Sequence, residues 1–207
     1  MAKKKKILRG LSNIHFAPLV DGEFQTPIPI LYAKKCECKL SYEGEPEWAD
    51  DRLVENGYEF AGGEGTLSVL ALTAEEQSTL FGNTLVKGGL KVNSGDISPE
   101  GAFLFERKKK NSNEKRLYVI YSCVCSPANI SAETIEEGKG AGSVDEINFA
   151  IGQLSNGDIY HYVDTDDPTI PAEAKTNWFK TVQKPQEKEE MREKKVVPQT
   201  EKATVKK

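Results

Sequence analysis

The chain lacks any apolar run near the length of a membrane-spanning helix, about 18 residues or more, and its lysine-rich opening is not followed by an apolar core and a small-residue cleavage site. The expectation is therefore a soluble, unexported chain. Histidine is scarce: His15 and His161 are the only two. With so few, there is no HExxH pair and no histidine cluster for a metal, and no Gly-x-Ser-x-Gly elbow is present either. No repeat with a period of about 20 to 50 residues exists, which excludes a solenoid.

What is present is enough for one globular domain with chain left over: 207 residues, 38% hydrophobic and 29% charged. The net charge of −4 conceals an uneven distribution. Lys3 to Lys6 contribute +4, residues 184–207 contribute +3, and residues 7–183 hold 16 basic against 27 acidic side chains, a body of −11. Such a body argues against a protein that grips nucleic acid, which needs a basic face to displace counterions from phosphate.

The four cysteines form two similar dyads, Cys36-Glu37-Cys38 and Cys123-Val124-Cys125, each in a strand-like stretch that turns both thiols to one face. On neighbouring strands, four thiolates would surround a zinc ion. Structural zinc sites, however, space their cysteines more widely on tight knuckles, and a reduced cysteine is a good small core residue. The core role is the expectation, with no metal, no other cofactor and no disulfide.

Strands are expected at Ala33 to Tyr42, Leu67 to Leu72, Ala102 to Lys109, Arg116 to Cys125, Glu146 to Leu154 and Ile159 to Asp164. Asn156-Gly157 suits a two-residue hairpin, which would set Leu154 opposite Ile159, Ile151 opposite Tyr162, Ala150 opposite Val163 and His161 opposite Gly152. Asn56-Gly57 by the same logic would join Arg52–Glu55 to Tyr58–Ala61, pairing Glu55 with Tyr58 and Leu53 with Phe60. The result is an arm from about Gly44 to Gly65 carrying Trp48, Leu53, Tyr58 and Phe60. It either seeks an outside surface or folds back over its own sheet.

Thr73 with Glu76 is a capping box, Ala74 to Phe81 is free of glycine and proline, and Gly82 stops the helix. Leu80 and Phe81 supply its buried face. Ala172 to Lys180, entered through Pro171, is either a second helix or an extended segment. Residues 184–207, rich in Lys and Glu and free of aromatics, read as a flexible tail.

Catalytic patterns fail on inspection. Gly138-Lys139-Gly140-Ala141-Gly142-Ser143 has Glu133 and Gly140 where a phosphate-binding loop needs glycine and a hydroxyl, so it reads as a mobile loop. Asp164, Asp166 and Asp167 lack the glycine and closing glutamate of a calcium loop and read as solvated. Asp50 and Asp51 have no histidine or nucleophile nearby. Arg107 to Lys110, before Asn111-Ser112-Asn113, read as a charged hairpin tip that discourages edge aggregation. No enzyme is expected.

The lysine-rich opening running into Ile7-Leu8-Arg9-Gly10-Leu11-Ser12-Asn13-Ile14-His15-Phe16-Ala17-Pro18-Leu19 resembles the start of the major tail proteins of long, non-contractile-tailed phages. So do Trp48-Ala49-Asp50-Asp51, the helix ending Leu80-Phe81-Gly82, the strand Tyr160-His161-Tyr162 and the late Trp178-Phe179. The resemblance spans roughly residues 5–183. It implies a mainly β fold, a β-sandwich or partly closed β-barrel with one flanking helix and a long hairpin arm, in a domain over 1–183 followed by the tail over 184–207.

It further implies a structural tail-tube subunit that forms hexameric rings stacked into a conduit for the genome. Its partners would be copies of itself and the tape-measure, terminator and baseplate or initiator proteins. DNA would pass without specific binding, no membrane would be involved, and the protein would be made in the host cytoplasm and reside in the virion. The arm role falls on Glu47, Trp48, Ala49, Asp50, Asp51 and the tip at Asn56-Gly57, with Leu53, Tyr58 and Phe60 as the arm's apolar side chains. An alternative of another class is a β-sandwich binding module for a carbohydrate or cell-surface receptor, with Trp48, Tyr58 and Tyr160 as a sugar platform. A zinc-ribbon-like module is a third.

Overall fold

The computed structural model of the protein describes residues 6–44, 47–49, 51–55, 57–127, 130 and 144–186, with backbone alone at 47–49 and 53–55. The elements in chain order are β1 (Leu8–Val20), β2 (Glu23–Phe24), β3 (Ile28–Pro29), β4 (Ala33–Glu43), β5 (Glu47–Ala49), β6 (Arg52–Glu55), β7 (Glu59–Val69), α1 (Ala74–Phe81), β8 (Thr84–Val86), β9 (Gly89–Lys91), β10 (Glu100–Lys109), β11 (Lys115–Cys125), β12 (Asp145–Ile151), β13 (Tyr160–Asp164) and α2 (Ala172–Asn177). The fold is mainly β, as expected, with two flanking helices where the resemblance implied one.

One antiparallel sheet runs in the order β2-β1-β10-β11-β12-β7-β4, with β3 added to β1 and β13 added to β11. Residues from both ends and the middle of this path meet in a single apolar cluster: Ile14 and Phe16, Phe103, Cys123, Phe149 and Ile151, and Leu67 and Val69. The sheet must therefore curl over that cluster. Leu80 and Phe81 of α1 close one end of it. A second cluster lies on the opposite face of β10 and β11, where Leu104, Leu117, Val119 and Tyr121 pack under Ala174 and Trp178. β10 and β11 are thus buried on both faces, which explains their nearly continuous apolar sequence.

Bulges decide which residue serves which cluster. On β11, Leu117, Val119 and Tyr121 face the second cluster, yet Cys123 and Cys125 face the first. The parity flips at Ser122, whose φ is +49°, where the ladder with β10 slips between Gly101 and Phe103. β1 behaves alike: its register with β10 shifts around Asn13, φ +60°, so Leu11 and Ile14 both reach the first cluster.

Helix α1 forms as its local signals require. The Thr73 hydroxyl accepts from the Glu76 amide and the Glu76 carboxylate accepts from the Thr73 amide. Gly82 stops the helix at φ +71°. Glu76 is buried and does more than cap, because its other oxygen accepts from the Leu31 amide at 2.7 Å and so anchors the chain entering β4.

Both expected Asn-Gly hairpins are corrected. β12 and β13 do not pair with each other; both run antiparallel to the same edge of β11, with Ile151 opposite Cys123 and Tyr160 opposite Ile120. Residues 152–159 loop out, turning through Gly157 at φ +86°. Tyr162 faces Tyr118, Val163 faces Leu117 and His161 faces Val119, not Gly152. In the arm, β6 pairs back onto β5, with Leu53 opposite Trp48, and Phe60 pairs with Tyr42 in the core ladder. The second partner is longer: β4 and β7 stay laddered from Ala33↔Val69 out to Glu43↔Glu59, and a two-residue turn cannot compete with that.

Candidate functional site

Three surfaces among the described residues bear on function. The first is the arm. β5 and β6 meet at Ala49↔Arg52, and Asp51, just before β6, takes a φ of +56°, a conformation that aspartate tolerates better than most residues. β5 and β6 pair only with each other among the described residues. Tyr58 at the arm's base is exposed, its ring beside Gly44. Phe60, by contrast, belongs to the core ladder, 5.8 Å from the Tyr42 ring. Asn56 lies outside the described residues, as do Asp50 and the side chains of Glu47, Trp48, Ala49 and Leu53.

The second surface is the free edge of β4. This strand ends the sheet path, and its outer edge pairs with no strand among the described residues. Lys34, Lys35 and Lys39 stand along it. Lysines on an edge hinder indiscriminate pairing while leaving the backbone groups open to a specific partner. Across the outward face of β4, β7 and β12 the residues are small or polar, in rows such as Glu37, Thr66 and Asn148. The Thr66 hydroxyl donates to the Asn148 side chain at 3.0 Å. A face of this kind stays wet in the folded chain.

Third is a cavity of about 620 Å³ that opens between β4 and the β1, β10 and β11 strands. Leu11, Leu40, Phe105, Tyr118 and Ile120 supply apolar walls, with Phe105 and Tyr118 stacked at 4.8 Å. Lys34, Lys35 and Arg107 also line it, and no carboxylate does among the described residues. Tyr160, half exposed, is at its margin. Tyr58 is not among the lining residues.

The cysteines are free, and the two dyads are not on neighbouring strands, because β7 and β12 lie between β4 and β11. No group of three or more His, Cys, Asp or Glu among the described residues is placed to hold a metal. Cys123 and Cys125 are core, and burial pushes the Cys125 thiol up to about 12. Cys36 and Cys38 line the cavity. The hydrogen bond between them raises Cys36, together with burial, and lowers Cys38 below the ordinary thiol value, so the exposed thiol is the acidic one.

The run Arg107 to Lys110 does end a hairpin, but Lys109 is not solvated. Its side chain is 2% exposed, and its ammonium lies 2.5 Å from Asp166 and 3.0 Å from Asp164. Asp164 also takes Arg116, whose guanidinium lies 4.3 Å over the Tyr162 ring. Of the aspartates expected in a solvated loop, Asp164 and Asp166 are therefore structural, pinning β13 and the following turn to the β10–β11 tip, while the Asp167 carboxylate accepts from Thr169 within its own loop. Sequence inspection missed this because the partners are 48 to 57 positions apart. His161 is half-buried with its ring 5.8 Å from Trp178, and burial lowers its pKa, as suits a packed residue. The glycine-rich segment 138–143 and the tail from 187 onward lie outside the described residues.

Among the described residues, no helix is long and apolar enough to cross a membrane. No protein-family model matches the chain, and no curated protein matches it. Among solved structures it is similar to the anti-feeding prophage cap (AFP tube terminating cap), with a TM-score of 0.36 and 9% identity over 78% of this chain and 96% of that one, a likeness too slight to carry an argument.

Proposed function

We propose that the protein is a structural, self-assembling subunit, the major tube protein of a phage tail. The observation that supports it is the coexistence, among the described residues, of an outer edge of β4 that pairs with no strand and a hairpin, β5–β6, that pairs with nothing else. A lone two-stranded hairpin is marginal in water, and an open edge strand is a liability, so both find their use in contacts between copies. A ring closed by such contacts and stacked head to tail extends without limit, as a tube requires.

The polar face of β4, β7 and β12, with Glu37, Thr66 and Asn148 in one row, suits the wall of a conduit. With the body at −11, DNA slides past and is not gripped. Six subunits per ring, and contacts to tape-measure, terminator and initiator proteins at the tube ends, belong to the same reading, as does residence in the virion after synthesis in the host cytoplasm. The role is non-enzymatic and needs no cofactor.

Electron microscopy of the purified protein, alone and with a tail initiator, tests it. Rings or tubes of one diameter are expected; a monomer at every concentration and with the initiator present overturns the reading.

A further inference from the structure

The cavity and the arm are complementary in charge and chemistry. The cavity is apolar and aromatic within, lined by Lys34, Lys35 and Arg107, and bears no carboxylate among the described residues. Residues 43–55, Glu-Gly-Glu-Pro-Glu-Trp-Ala-Asp-Asp-Arg-Leu-Val-Glu, hold six acidic side chains against one arginine around a single tryptophan. We propose that the cavity receives the Trp48 hairpin of a second copy of the chain, with the indole against Phe105 and Tyr118 and the flanking acids over the three cations. This rests on the self-assembling reading and names the socket that the reading leaves unassigned.

Several observations favour a second copy over the chain's own arm. The arm leaves β4 at Glu43, beyond the Leu40 end of the cavity, and β5 and β6 turn back on each other. The volume lies within the range of cavities that hold a compact ligand, roughly 300–1,000 Å³, and so accommodates one indole with its neighbours. Lys35 makes an ion pair to Glu37 in which both side chains are more than 60% exposed, so the pair is easily exchanged for a partner's carboxylate. An aromatic anchor in a pocket, ringed by complementary charge, is the usual anatomy of an interface centre.

The test uses the full chain and a fluorescein-labelled peptide of residues 43–55, followed by anisotropy. Saturable binding is expected. It should weaken about tenfold or more when the peptide carries Trp48→Ala, when its glutamates are replaced by glutamine, or when the protein carries Lys34→Glu with Arg107→Glu. The peptide variants leave the protein untouched, so a misfolded protein variant does not obscure the result. Absence of binding up to about 1 mM, or binding indifferent to all three changes, overturns the proposal whether or not tubes form. In parallel, Ala49→Cys protein is oxidised gently and its disulfides mapped. A bridge from position 49 to Cys38 of another chain supports the docking, and a bridge within one chain overturns it. Peptide binding by a protein that never forms rings would sink the tube reading alone.

Discussion

Arg116 and Asp164 face each other across the β11–β13 ladder as a two-pronged pair, Nε to Oδ1 and Nη2 to Oδ2, both at 2.8 Å. Asp164 also receives the buried Lys109 ammonium, so one carboxylate joins two cations from two strands. Planar two-point geometry of this kind is the strongest form an ion pair takes in proteins.

Removing the carboxylate leaves the buried Lys109 ammonium with Asp166 alone. Asp164→Ala is expected to cost about 3 kcal/mol, as breaking a buried pair commonly does, with Asp164→Asn less damaging. Urea denaturation followed by circular dichroism measures both; a loss near zero for the alanine variant would show the pair to be ornamental.

Arg116 first, and Lys109 after it, hold the Asp164 carboxyl below its ordinary value against the opposing effect of burial. Its contribution is therefore complete above the unfolded carboxylate value near about 4, and is lost as pH falls through the folded one. Lys109 shifts the other way: burial disfavours its charge, but Asp166 and Asp164 prevail and raise its pKa. That contribution is complete below about 10.5 and is lost at higher pH. Stability measured against pH should thus fall at both extremes, and Asp164→Asn should flatten the acid limb.

The thiols rank by exposure and by their shared proton. At pH 7, Cys38 should react with iodoacetamide at least about tenfold faster than Cys36, and Cys123 and Cys125 only after unfolding. Peptide mapping by mass spectrometry reads all four. Cys36→Ser, which keeps a hydroxyl donor beside Cys38, should preserve part of its reactivity, and Cys36→Ala should slow it.

Gly101 lies opposite Pro18 in the β1–β10 ladder, and a Cβ there would meet the Ala17 carbonyl and the Phe16 ring, both at 2.5 Å. Backbone cannot yield as a flexible side chain can. Gly101→Ala is expected to cost about 3 kcal/mol by overpacking, whereas Gly95→Ala, with open space around it, should stay within about 0.5 kcal/mol. Thermal melts of the two variants decide it.

Trp178 is 1% exposed and donates its indole N–H to the Tyr118 carbonyl at 3.2 Å. Trp178→Ala should lose about 3–5 kcal/mol, and Trp178→Phe about 1–2 kcal/mol through the lost indole hydrogen bond and the smaller ring. Because Tyr121 also donates to the Gln183 carbonyl, the chain after α2 is held as a strap over the second cluster. Near-UV circular dichroism should report its release in the alanine variant.

What was legible in the chain was whatever its neighbours in sequence determine. Thr73, Glu76 and Gly82 specify α1 within ten residues, and the structure follows them. β1 escaped notice because its bulge at Asn13 breaks the alternation that marks a strand. Asn156-Gly157 does turn the chain, but β11 offers β13 a longer ladder than β12 could, so local preference yields to a distant partner. The cavity was invisible for the same reason: Lys34 and Arg107 meet only because the sheet curls. Asn56-Gly57 is the strong local turn signal, yet β6 pairs with β5, because Glu59 onward belongs to the β4–β7 ladder.

The two-faced burial of β10 and β11 also has a kinetic meaning. These strands close on each other across a short tip, from Lys108↔Lys115 upward, whereas β1 reaches β10 from some ninety positions away. Neither apolar cluster has a floor until that hairpin exists. Its residues therefore set the pace of refolding, while those of α2 and its strap, which arrive on a finished platform, govern chiefly how long the native state survives.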